Sequence, residues 1–365
     1  MKYPLIRPLI PPVASWSGHL QEAYRRRYFT NFGPAEQAFG DALLDAFGRP
    51  GETCVLCCSA TLGLTAALLA LDAQGPVAVP AFTFPASLHA ILAARLEPVI
   101  CDVDPASWEL SADAVHAALG GRRPGALMPV RAFGFVRALD EMCDLVAELD
   151  APLVIDAAAA LGGDRRAGRY PDRYVEVFSL HATKALGIGE GGALFAPAGL
   201  RPELERALNF GLWADRSFGY GLNGKMSEFQ AAVGLAVLEI HPQLLERRRA
   251  MARRYAEHLA GRPGVGIAPD MLAAPCSTYP VLMPRGCDVE AFAAGSLALG
   301  AQLRRYYHPS LSQGFHRSGY AADTPVADDL ADRMLCLPVY ADASPAEIDE
   351  LIGIFDEAGR GMGLW

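Results

Sequence analysis

The chain has 365 residues, 52% of them hydrophobic and 20% charged, a globular composition long enough for two domains sharing one cleft. A formal net charge of -9 excludes a general nucleic-acid binder, which needs clustered Lys and Arg in excess. Residues 1–12 carry four prolines and no continuous apolar run, which matches neither a signal peptide nor a membrane span, so a cytoplasmic protein is expected.

From residue 52 to 196, short apolar runs alternate with helix-like stretches. Cys54, Cys57 and Cys58 share one strand-like run; with no paired CxxC framework among the 8 cysteines, they read as buried thiols and no metal is assigned. Val77-Ala78-Val79, Pro98-Val99-Ile100, Ala126-Leu127-Met128, Leu153-Val154-Ile155, Val175-Glu176-Val177-Phe178 and Ala193-Leu194-Phe195 read as strands. Residues 62–71, 87–94, 112–119 and 139–149 have helical spacing. The alternation predicts an α/β sheet with helices on both faces. Phe82-Thr83-Phe84, Asp102 with Asp104, Asp156, and Ser179 leading to Lys184 stand at strand ends, where ligands of open α/β sheets bind, so they should converge on one site. A helical stretch over 227–259, interrupted near Pro242, leaves the first domain. Residues 277–283 and 301–307 read as strands, and Ser344-Pro345-Ala346-Glu347 is a capping-box start for the final helix. The expected division is a large domain over residues 1–240, N-terminal arm included, and a small one over 241–365.

Of 32 basic residues only 3 are lysines, Lys2, Lys184 and Lys225. In a chain this biased towards Arg, a retained interior lysine points to a need for a primary amine, because Arg cannot form a Schiff base. Chance retention is the plainer reading of Lys2. Phe178-Ser179-Leu180-His181-Ala182-Thr183-Lys184 sets a hydroxyl and an amine side by side after a strand. That pairing suits pyridoxal phosphate (PLP), whose aldehyde and phosphate must be held together. The following Gly187-Ile188-Gly189-Glu190-Gly191-Gly192 satisfies G-x-G-x-x-G, yet a dinucleotide fingerprint opens a helix and here a strand follows. Those glycines let the backbone pass close beneath a cofactor instead.

Asp156 ends an apolar strand, where a carboxylate costs free energy unless paired, and a protonated pyridine nitrogen is a suitable partner. A capping or salt-bridging Asp is the commoner case in general. Ser59-Ala60-Thr61 precedes a helix rich in Ala and Leu and offers free amides and a hydroxyl to a phosphate, or serves as an ordinary N-cap. Phe82-Thr83-Phe84 offers an aromatic face to a ring, or belongs to the core.

Taken together these segments resemble the DegT/StrS family of PLP-dependent nucleotide-sugar aminotransferases, which have the aspartate-aminotransferase fold (fold type I). Ordered matches also include Thr30-Asn31-Phe32-Gly33-Pro34, Gly221-Leu222-Asn223-Gly224-Lys225-Met226-Ser227-Glu228, Tyr306-Tyr307-His308-Pro309 and Leu337-Pro338. The resemblance implies an α/β, three-layer PLP-dependent transferase fold with a mostly parallel central sheet and a smaller α+β C-terminal domain. It implies that Lys184 forms the Schiff base, that Asp156 pairs with the pyridine nitrogen, that Phe84 stacks on the ring, and that Ala60, Thr61 and Ser179 hold the phosphate. Asn223 would reach the neighbouring subunit's cofactor, implying a homodimer with shared active sites, while His181, Lys225, Tyr307 and His308 would serve the substrate. The implied reaction moves an amino group from L-glutamate, through pyridoxamine phosphate, to a nucleotide-linked keto-sugar, with no nucleic-acid or membrane partner.

Three positions depart from the family pattern. Ala159 replaces a polar residue that often contacts the cofactor, Arg131 stands where a histidine is common, and Ser312 takes the place of another histidine. They open the acceptor to a cyclitol or other small keto compound. A catalytically inert PLP-binding sensor is the alternative of a different class, but a regulator would normally bring a basic DNA-binding segment, and none is visible.

Overall fold

The six apolar runs read as strands all enter one sheet in the computed structural model, which describes residues 1–165 and 168–365. Its strands are β1 (Glu52–Cys57), β2 (Val77–Pro80), β3 (Pro98–Cys101), β4 (Ala126–Leu127), β5 (Leu153–Asp156), β6 (Tyr174–Ser179) and β7 (Gly192–Pro197), in the order β1-β7-β6-β5-β4-β2-β3. The run from β3 to β6 pairs in parallel, and β7 lies antiparallel to both β6 and β1. Near-continuous burial of these strands follows from helices on both faces. Leu64, Leu68, Leu88 and Ile91 on helices Ala60–Ala70 and Pro85–Ala93 cover one face, against Val154 and Val177. Phe39, Leu43, Val115 and Val146 on helices Pro34–Phe47, Ala112–Leu119 and Asp140–Leu149 cover the other, against Leu153 and Ile155.

Gly33 shows why one family-like segment has its sequence. A Cβ there would meet the Glu228 carboxyl carbon at 2.6 Å, and that carboxylate accepts from Ala35 N (2.7 Å) and Glu36 N (3.0 Å) at the start of helix Pro34–Phe47. A buried carboxylate thereby satisfies two amide donors left open at a helix N-terminus.

Helix Glu228–Leu259 is continuous through Pro242, contrary to the interruption expected there. Buried contacts on both sides, Ala231 to Val237 before the proline and Leu244 to Leu259 after it, hold the two halves on one axis despite the missing N–H. Beyond it, β8 (Gly266–Ile267), β9 (Thr278–Leu282) and β10 (Met334–Pro338) form a small antiparallel sheet in the order β10-β9-β8. Residues 301–307 do not form the expected strand. Ala301 bridges Tyr3 and Arg304 bridges Cys336, so each pairing is one residue long and goes to a different partner. The N-terminal arm docks on this part too: Lys2 pairs with Glu350 and Arg7 with Glu347. The final helix, Pro345–Gly361, begins with the expected capping box, Ser344 Oγ accepting from Glu347 N at 3.2 Å. Among the described residues no helix is long and apolar enough to cross a membrane.

Candidate active site

Two adjacent strand ends deliver the chemistry. Asp156 closes β5 beside Val177 of β6, and β6 ends at Ser179. The chain then turns tightly, with Ala182 N donating to Gly189 O (2.8 Å) and Lys184 N to His181 O (2.8 Å), and this turn presents Lys184. Gly189 has φ +106°, a conformation open to glycine, and lets the chain return to β7. At the start of β7, a Cβ on Gly192 would lie 2.9 Å from Ala60 N. The strand therefore presses against the first turn of helix Ala60–Ala70, whose N-cap, Ser59 Oγ, accepts from Leu62 N at 3.3 Å.

A cleft of about 410 Å³ brings together Ala60, Thr61, Phe84, Asp156, Ser179, His181, Lys184 and Tyr307. Three expected residues lie outside its lining. Lys225 donates to Asn223 Oδ1 at 2.8 Å over the Phe210 ring, in a loop tied to the cleft wall by Cys58 N donating to Gly224 O at 2.7 Å. His308 faces Arg305 at 3.1 Å and Asp332 at 3.4 Å. Asp102 and Asp104, expected to converge here, are used as caps: Asp102 accepts from Val326 N and Ala327 N, Asp104 from Ala106 N and Ser107 N. A strand-end carboxylate next to free amides satisfies them before it is available to a ligand.

Asp156 is buried, and among the described residues only neutral donors hydrogen-bond its carboxylate: Ser87 Oγ at 2.6 Å and Ala158 N at 3.1 Å. Burial raises its pKa more than these hydrogen bonds and Lys184 lower it. Lys184 is half-buried and no hydrogen bond or ion pair engages its amine among the described residues. Burial lowers its pKa, opposed by Asp156. Phe84 keeps half of its surface exposed at the cleft, and Ala60 and Thr61 at the helix start line the same cleft as Ser179. Among the described residues no group of three or more His, Cys, Asp or Glu could hold a metal.

Sequence reading passed over two residues. Ser87, in the first turn of the helix that Phe84 caps, links Thr83 (2.9 Å) to Asp156, and its spacing from Phe84 was a usable signal. Arg304, beside Tyr306, also lines the cleft, and no local pattern marks it. Two of the departures have side chains engaged by buried partners, although Arg131 also contributes to the cleft lining. The Arg131 guanidinium is buried against Glu176 at 2.7 Å, and Ser312 sits in a buried cluster with Ser310, Thr324 and Asp328. Ala159 lines the cleft.

Residues 15–356 match the model of the DegT/DnrJ/EryC1/StrS aminotransferase family. The dTDP-4-amino-4,6-dideoxy-D-glucose transaminase of Escherichia coli is 28% identical over 351 residues, 93% of this chain and 94% of that one. Protein Rv3402c of Mycobacterium tuberculosis (strain ATCC 25618 / H37Rv) is 31% identical over 387 residues, 98% of this chain and 90% of its own. The solved structure of DesI, determined in the presence of its TDP-sugar product, is 30% identical, covers 100% of this chain and 95% of its own, and superposes with a TM-score of 0.89. The chain belongs to the DegT/DnrJ/EryC1/StrS aminotransferase family and has its α/β fold.

Proposed function

We propose that this aminotransferase uses PLP to move an amino group from L-glutamate to the keto group of a nucleoside-diphosphate-linked deoxysugar. The cleft fits the cofactor on its own chemistry. Asp156 is a buried carboxylate held by neutral donors alone, so a cation such as a protonated pyridine nitrogen completes it. Ala60, Thr61 and Ser179 would hold the phosphate, Gly192 keeping room beside that helix start, and Phe84 would stack on the ring.

When bound, PLP supplies an electron sink for the bond broken at the substrate carbon. Asp156 would hold a proton on the ring nitrogen and so keep that sink cationic. Lys184 would hold the cofactor through Nζ, and its amine, when free, would move the proton at the substrate carbon. Its lowered pKa favours the neutral amine that this step needs. His181 and Tyr307 line the approach.

A homodimer with shared sites is part of the proposal. Phe210, Leu212, Trp213, Phe218 and Tyr220 expose large apolar surface on the loop that runs into Asn223 and Lys225, an arrangement suited to burial against a second copy. His308 is kept as a residue of the acceptor side. Eight free thiols favour the cytoplasm, where they stay reduced. The buried partners of Arg131 and Ser312 weaken two of the three reasons for preferring a cyclitol acceptor.

The observation that carries the reading is an unengaged lysine amine in one cleft with a buried carboxylate that lacks a strong cationic partner. Lys184→Ala is expected to lower single-turnover amine transfer from L-glutamate on the order of 10⁴-fold with the fold intact. Retained turnover would refute the lysine's role, and a chain that sediments as an active monomer would refute the shared site.

A further inference from the structure

We infer that Ser87 is a positioning residue for Asp156, the last link of a hydroxyl chain from Thr83 that orients the carboxylate in the cleft; the inference rests on the proposed use of PLP. Ser87 acts through Asp156 and takes no part in bond making.

A serine hydroxyl carries one proton. Three acceptors stand near Ser87 Oγ: Asp156 Oδ2 at 2.6 Å, Thr83 Oγ1 at 2.9 Å and Phe84 O at 3.3 Å. The carboxylate is the nearest of the three and, when ionised, the only charged one, so it takes the proton. That choice fixes the direction of the next bond. With its own proton committed to Asp156, Ser87 accepts from Thr83, and the chain runs from Thr83 to Ser87 to Asp156. Both hydroxyls are buried, so bulk water does not compete for either proton.

Two anchors set the plane of the carboxylate. Ser87 holds Oδ2 and Ala158 N holds Oδ1, at 3.1 Å. An ionised carboxylate offers roughly four lone-pair sites, so each oxygen keeps one for a ligand. With one anchor the group would turn about its last torsion, which is broad and two-fold. Lys184 and Tyr307 also act on Asp156 electrostatically, but among the described residues neither hydrogen-bonds it. Ser87 is therefore the side chain that orients it. Ser87 lies in the first turn of helix Pro85–Ala93, whose N-cap is Phe84. Residues 83–87 thus carry both the aromatic face for the ring and the donor that sets the carboxylate.

Removing a donor from an ionised carboxylate makes it more basic, so a proton shared with a ring nitrogen shifts towards Asp156. The test loads wild-type chain, Ser87→Ala, Ser87→Thr and Thr83→Val with PLP carrying ¹⁵N in its ring, and reads the nitrogen resonance together with PLP affinity by fluorescence titration. In Ser87→Ala the resonance is expected to move towards that of an unprotonated pyridine, with PLP weakened on the order of 10-fold. Ser87→Thr keeps the hydroxyl and should restore the wild-type resonance. Thr83→Val keeps the shape but takes the donor from Ser87, so it should move the resonance the same way by less, and it serves as the test if Ser87→Ala does not fold. An unmoved resonance overturns the inference even if affinity falls, because a serine that only packs would weaken binding without touching the ring proton; the proposed reaction would still stand. A wild-type chain that binds no PLP overturns the cofactor reading, and the inference with it.

Discussion

Asp156 and Glu176 are buried carboxylates on neighbouring strands, one register step apart, with Ile155 opposite Glu176 and Asp156 opposite Val177. Strand alternation puts them on opposite faces of the sheet. Glu176 is met by two guanidinium groups, Arg131 at 2.7 Å and Arg165 at 2.7 Å, with the Tyr170 hydroxyl at 3.1 Å. Arg165 also pairs with Glu52, which closes a quartet of two cations and two anions. Burial pushes the Glu176 pKa up, but Arg131 and Arg165 together bring it below the ordinary value. Asp156 has only a hydroxyl and an amide, and its pKa stays raised. The fold supplies two arginines to one buried carboxylate and, among the described residues, none at hydrogen-bond range to its neighbour, which lines the cleft.

Breaking the paired member should show the largest loss of stability. Glu176→Gln strands Arg131 and Arg165 without full compensation, and a cost of about 3–5 kcal/mol is expected in chemical denaturation, with the cofactor's absorbance shape preserved. A variant as stable as the parent would mean that the quartet is ornamental. Asp156→Asn should behave in the opposite sense. In the cofactor-free protein it removes a poorly compensated charge and leaves stability level or higher, while single-turnover amine transfer falls on the order of 10²- to 10³-fold. Equal destabilisation by the two substitutions would erase the contrast.

Glu36 sharpens the comparison, being buried outside the cleft with no ion pair among the described residues. Burial, outweighing Arg201 and reinforced by Glu228, raises its pKa to about 8. The folded state then holds a proton that the unfolded state releases near pH 4.5, so the group's contribution to stability falls as pH rises from about 4.5 to about 8. Glu36→Gln should raise the melting temperature by a few degrees at pH 8, with the gain vanishing towards pH 4.5. A gain of equal size at both pH values would assign the effect to packing.

The strands and helices around the site were legible because apolar runs and N-caps act over a few residues. Ser344 and Glu347 stand three residues apart in a readable capping pattern, and the helix starts marked by the Ser59 cap and by Pro85 follow equally local rules. Residues 301–307 misled because a short stretch ending in two tyrosines says nothing about whether a partner strand lies alongside. Arg131 misled differently: its position in the family-like segment pointed to the substrate, while the cation turned to a glutamate 45 positions later.

By itself the sequence determined the parts: a lysine after a hydroxyl-tipped strand, an aspartate at the end of its apolar neighbour, and a glycine where β7 must approach a helix. These follow from alternation, turn chemistry and steric size, all short-range. Tertiary structure decided the partners, because whether a carboxylate is neutralised, used as a cap or left open depends on groups that chain folding brings from far along the sequence. Asp102, Asp156 and Glu176 are chemically alike on or beside strands, and only their three-dimensional neighbours make one a helix cap, one a cleft-lining acid and one a member of a buried ion network.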